Sequence, residues 1–170
     1  MRKSQNIIDD VTSQLKNMSA IFTQKPILVG GSAMEYYGLR EAGADIDLII
    51  CNDDYLLLEK QYHKERKDLY GDLGIVLWPF EIWRSIALLD YDFYKRSAHE
   101  YQSILVVSFD QLLFMRVIAR EVEKYNNDLE LMVEYVYSNQ RNKEYLNNAE
   151  THINTYQKQG GAVFGGNYAD

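Results

Sequence analysis

A chain of 170 residues can bury one sizeable core, and its 46% hydrophobic content is that of a globular protein. A net charge of −7 argues against a bulk nucleic-acid partner, which needs a basic face, but leaves room for a phosphorylated small molecule whose charge a metal carries. No apolar run reaches the roughly 20 residues that span a bilayer, MRKSQNIIDD carries no signal-peptide core, and the single cysteine, Cys51, excludes an internal disulfide, so a reducing cytoplasm is the expected setting.

From about Asn6 to Phe22, Ile7, Ile8, Val11, Leu15 and Met18 recur at helical spacing. Pro26 opens a short strand, Ile27–Val29, that ends at Gly30–Gly31. A brief helix, Ser32–Tyr37, follows and stops at Gly38. The run Asp45–Cys51 reads as a strand, and Asn52–Asp54 can cap a helix bearing Leu56, Leu57, Leu58 and Tyr62. The basic run His63–Lys67 reads as the solvated face of a helix. Gly74–Trp78 and Phe80–Ser85 read as two more strands, with Pro79 between them.

A further strand, Ile104–Val107, meets Ser108-x-x-Gln111, the spacing of a capping box. Leu112, Met115, Ala119 and Val122 then predict one helix face, and Leu129, Met132, Val133 and Val136 another; Lys143–Lys158 predicts a last helix. The expected fold is therefore α/β: a single domain over 1–170, with a mixed-sheet core in 1–107, C-terminal helices in 108–158 and a glycine-rich tail in 159–170.

The chemistry is concentrated in LVGGSAMEYYGLREAGADIDLII. Asp45 and Asp47 stand two apart on one strand, so both carboxylates face the same way while Ile46 and Leu48 face a core. Two such carboxylates repel each other, and a divalent cation relieves that cost; Mg²⁺ suits one or two carboxylates completed by substrate phosphates. A bare pair of this kind is common on half-exposed strands. Upstream, Gly30–Gly31–Ser32 lies between a strand and a helix, where free backbone N–H groups and the Ser32 hydroxyl can meet an anion, although a tight turn capped by Ser32 needs the same residues. The conjunction of the two is more specific than either part.

These residues, Gly30–Gly31–Ser32 followed by Asp45–Ile46–Asp47–Leu48, resemble the signature of the nucleotidyltransferase superfamily of the DNA polymerase beta type, and of its small bacterial members in particular. The resemblance implies that Asp45, Asp47 and a third acid hold two Mg²⁺ ions. Glu81, in the apolar segment PFEIWRSI, matches the third acid better than Asp72, Asp90 or Asp92, which fall in expected turns or caps. It further implies that Gly30, Gly31 and Ser32 hold the triphosphate with help from Arg40. Arg116 stands where relatives often have lysine and Asp128 where they often have aspartate, though both also fit solvated helix positions.

The implied reaction moves a nucleoside monophosphate from a nucleoside triphosphate, with ATP as the expected donor, to a hydroxyl of a small-molecule or protein acceptor. The alternative is a non-catalytic nucleotide-binding or antitoxin-type module of the same fold. His63, His99 and His152 lack metal-ligand spacing, and Cys51 at a strand end reads as a buried thiol.

Overall fold

The strands that carry the acids are only a few residues long, so they depend on neighbours on both sides for pairing and on helices beneath for burial. The structure, a computed structural model, describes residues 2–18, 20–140 and 143–158. The glycine-rich segment expected over 159–170 lies outside the described residues. The fold is α/β, as the sequence predicts.

The order is α1 (Ser4–Asn17), β1 (Ile27–Leu28), α2 (Gly30–Tyr36), β2 (Ile46–Ile49) and α3 (Asn52–Gln61), then a short 3₁₀ turn and β3 (Arg66–Leu69). Next come β4 (Asp72–Leu77), β5 (Phe80–Trp83), the small hairpin β6 (Ser85–Ile86) and β7 (Leu89–Asp90), and α4 (Tyr91–Lys95). The chain continues through β8 (His99–Glu100), β9 (Leu105–Val106), α5 (Phe109–Ile118), α6 (Glu123–Gln140) and α7 (Lys143–Lys158).

Seven strands form one mixed sheet in the order β3-β4-β5-β2-β1-β9-β8. Strand β2 runs antiparallel to β1 but parallel to β5, in the register Asp47↔Glu81 and Ile49↔Trp83. Because side chains alternate along a strand, this register separates two faces. One carries Leu28, Leu48, Ile75, Ile82 and Val106, all fully buried, and they cluster with Ile7, Ile8 and Val11 of α1 and with Tyr55 and Leu58 of α3. Full burial of one such aliphatic side chain stabilises by about 1.5–3 kcal/mol, so this face is the main anchor of the sheet. The other face carries Asp47, Glu81, Trp83 and Lys67.

Several boundaries differ from those read in the sequence. Helix α1 ends at Asn17, because Met18 turns into an extended conformation (φ −79°, ψ 131°). Helix α2 begins at Gly30 rather than Ser32, and Gly38, with φ +73°, takes the left-handed position after its end. Asp45 precedes β2 instead of lying in it. The basic run is not a helix face: His63–Glu65 is a 3₁₀ turn, and Arg66 and Lys67 open β3, whose two-residue connection to β4 uses Tyr70 (φ 53°) and Gly71 (φ 94°). Val122 and Val133, expected on buried helix faces, are exposed, whereas Asp128 is buried. Half of the capping box forms: Ser108 Oγ accepts from Gln111 N at 3.3 Å, but the Gln111 amide donates to the Phe93 carbonyl at 2.6 Å instead of returning to the Ser108 backbone.

The chain divides into two compact units, Met1–Glu130 and Leu131–Asp170, so the unit containing the sheet runs past Ser108 and includes α5 and the first turns of α6. The second unit contains the remainder of α6 and α7. No helix among the described residues is long and apolar enough to cross a membrane.

Candidate active site

Strand β1 passes into α2 through Val29, whose N–H donates to the Asp47 carbonyl at 3.0 Å. That bond sets Asp47 beside the turn. Gly30 has φ +63°, and a Cβ built on it would lie 1.9 Å from Asp47 Oδ2. Only glycine satisfies both the backbone conformation and this close approach. The Asp45 carboxylate is likewise close to backbone: a Cβ on Gly43 would meet its Oδ1 at 2.8 Å. Asp45 itself is exposed.

Asp47 is the electrostatic centre. Burial pushes its carboxyl up to about 6; the Trp83 N–H opposes the rise, the charges of Asp45 and Glu81 add to it, and Arg116 counteracts it. Trp83 Nε1 donates to Asp47 Oδ1 at 3.3 Å. The indole lies across Gly74 of β4, where an added Cβ would come within 2.7 Å of its Cε3. Among the described residues no cationic side chain forms an ion pair with Asp47.

Glu81 is the cross-strand neighbour of Asp47, on the same face of the sheet. Both of its oxygens accept hydrogen bonds from Lys67 Nζ, at 2.9 and 2.8 Å, and the same ammonium sits 5.3 Å from the centre of the Trp83 ring. Lys67 is therefore part of this constellation, although the sequence reading assigned it to a solvated helix.

A second group of charges borders the acids. Asp128, 2% exposed, takes Arg40 Nε and Nη2 on its two oxygens, and Arg116 Nε lies 2.8 Å from its Oδ2 in an ionic contact. The Arg116 guanidinium also stacks 4.5 Å from the centre of the Tyr125 ring. Arg116 and Asp128 are thus buried partners, not solvated helix residues. Arg40 donates in addition to the Glu41 carbonyl at 2.9 Å. Glu35 of α2, also buried, secures the segment between α2 and β2. It accepts from Ala42 N at 3.2 Å and from Arg2 Nε and Nη2 at 3.0 and 2.8 Å, and the Arg2 bonds hold its carboxyl down to about 2.

The structure thus brings Asp45, Asp47 and Glu81 into electrostatic reach of one another, with Gly30 against Asp47 and Arg40 near Asp45. Gly31 faces the same loop, 3.6 Å from Arg40 Nη1 if a Cβ is built on it, while the Ser32 side chain is buried. No group of three His, Cys, Asp or Glu side chains among the described residues is gathered tightly enough to hold a metal by itself. The donor set fits a different arrangement: one hard cation on the Asp45–Asp47 pair, its remaining positions filled by phosphate oxygens and water. Asp72 and Asp90 have other work. Asp72 accepts from Ser85 Oγ and from the Ala87 and Leu88 N–H groups, and Asp90 caps α4 through Phe93 N at 3.1 Å.

A cavity of about 570 Å³ opens beyond the other end of β2, lined by Cys51, Asp53, Arg84, Tyr91 and Asp92 among others. Ser85, Leu88 and Asp90 line it too, but Asp45, Asp47, Glu81, Lys67, Arg40 and Arg116 do not, so the candidate site rests on its chemistry rather than on cavity size. Comparison of the chain with protein-family models, with curated proteins and with solved structures finds no match.

Proposed function

We propose that this protein is a Mg²⁺-dependent nucleotidyltransferase of the DNA polymerase beta type, moving a nucleoside monophosphate from ATP or another nucleoside triphosphate to an acceptor hydroxyl in the cytoplasm. The observation that carries the reading is the Asp47 carboxylate, half-buried and pressed against Gly30 at the start of α2 with Asp45 two residues away. A divalent cation and an anionic ligand are the partners such a junction suits.

Asp45 and Asp47 would hold the metal, which when bound polarises the phosphoryl oxygens and lowers the pKa of a coordinated hydroxyl. Gly30, Gly31 and Ser32 contribute the first N–H groups of α2, which have no acceptor within the helix and can receive phosphate oxygens. Trp83 fixes the orientation of Asp47 by its N–H. Glu81, next to Asp47, is the candidate to take the proton of the acceptor hydroxyl. Arg40 and Arg116, joined through Asp128, supply positive charge at the border of the acids, where negative charge accumulates as pyrophosphate departs. The net charge of −7 favours a small molecule or a protein side chain as acceptor over bulk nucleic acid.

The test is transfer of label. With Mg²⁺ and a bacterial extract as the acceptor source, ATP labelled at the α-phosphorus should yield a labelled product, γ-labelled ATP should not, and pyrophosphate should accumulate. Glu81→Gln should cut the rate by about 10²–10⁴ while leaving nucleotide binding nearly intact. Binding of Mg²⁺ and nucleotide with no transfer from any of the four triphosphates would instead favour a non-catalytic module, a reading that the Lys67 contacts on both oxygens of Glu81 support.

A further inference from the structure

We infer that the site takes one divalent cation and not two, with the Lys67 ammonium standing in the place of the second. The inference rests on the nucleotidyltransferase reading and concerns how the three acids are neutralised. Lys67, Gly74 and Trp83 lie side by side across β3, β4 and β5 in the registers Lys67↔Gly74 and Gly74↔Trp83. Since Gly74 has no side chain, the Trp83 ring lies over it and Lys67 extends across that ring. The ammonium arrives at Glu81 and binds both oxygens, at 2.9 and 2.8 Å. Glu81 is the cross-strand neighbour of Asp47, so the position where a second metal would bridge these two acids is bordered by a fixed positive charge.

Charge balance points the same way. Asp45, Asp47 and Glu81 bring three negative charges, Lys67 cancels one, and a single divalent cation cancels the other two. Arg40 and Arg116 share Asp128 and leave one more positive charge at the border. A second divalent ion would therefore find the protein's own acids already balanced, leaving only the triphosphate to draw it, and it would have to displace a doubly hydrogen-bonded ammonium and shed tightly held water. The side chain of Lys67 is 39% exposed, so its replacement alters this contact without opening the core.

The experiment is a count of bound Mn²⁺ by electron paramagnetic resonance titration, with a non-hydrolysable ATP analogue bridged by methylene between the α- and β-phosphorus atoms. The wild-type protein should bind one Mn²⁺ per chain. Lys67→Met should raise the count to two, Lys67→Arg should keep it at one, and adding Glu81→Gln to Lys67→Met should return it to one. Two ions in the wild type overturn the inference and leave the nucleotidyltransferase reading standing. So does a Lys67→Met protein, folded by circular dichroism, that still binds one. No Mn²⁺ at all overturns that reading and the inference with it. A wild-type count of two overturns the inference even if a variant fails to fold.

Discussion

Gly30 and Asp47 explain each other. The glycine has a left-handed φ of +63°, and the space a side chain would need is filled by a carboxylate oxygen. Gly30→Ala should therefore act twice. The backbone strain lowers stability by about 1–2 kcal/mol, and the displaced carboxylate weakens Mg²⁺–nucleotide binding at least about tenfold, the equivalent of ~1.4 kcal/mol. Urea unfolding and calorimetry read the two effects separately. The Gly-Gly-Ser and Asp-x-Asp strings made these residues visible in the sequence. Trp83, Lys67 and Glu35 were not, because each is set by a cross-strand or long-range partner and none lies at a motif spacing. Glu35 gives a test by pH. Its carboxyl, ordinarily near 4.5, is held at about 2, chiefly by hydrogen bonds from Arg2. A depressed carboxylate stabilises the fold fully above its unfolded value and loses that contribution as pH falls through the folded value. Glu35→Gln should therefore cost on the order of 2 kcal/mol at pH 7 and clearly less at pH 3, by urea unfolding at each pH.

At the scale of elements, what was legible followed periodicity, and what was missed followed turns. Strands β2 and β5 and helix α5 have patterned apolar residues that survive in the fold. Strand β3 was hidden by its charges, since Arg66–Leu69 lies at the sheet's edge, where charged side chains suit a strand. The β6–β7 hairpin turns on Ala87 (φ 54°) and Leu88 (φ 60°), neither of which signals such a turn in sequence. Asp72 makes it possible by accepting hydrogen bonds from both of their N–H groups and from Ser85. Asp72→Ala should lower stability by about 2–3 kcal/mol, because it orphans these donors. Ala87→Gly should raise it by roughly 0.5–1 kcal/mol, because glycine adopts positive φ without strain. Chemical denaturation of the two variants checks both signs, and Asp72→Ala should leave nucleotide binding unchanged, since the hairpin lies outside the acidic site.

Across the whole molecule, the site is collected from segments far apart in the chain: the β1–α2 turn, β2, β3 and β5 of the sheet, Arg116 of α5 and Asp128 at the start of α6. All lie within the compact unit that ends at Glu130. In the sequence Arg116 and Asp128 fitted the family resemblance and solvated helix positions alike; their burial and shared ion pair exclude the solvated positions. The central claim is that Asp45 and Asp47, beside the Gly30 turn, form a metal-dependent nucleotide site. Calorimetric titration of the protein with each of the four nucleoside triphosphates, with and without Mg²⁺, tests it most directly. The account predicts binding of at least one triphosphate that requires Mg²⁺ and weakens at least about tenfold in Asp45→Asn and in Asp47→Asn. Binding that is indifferent to Mg²⁺ and to both substitutions, or no binding at all, contradicts it.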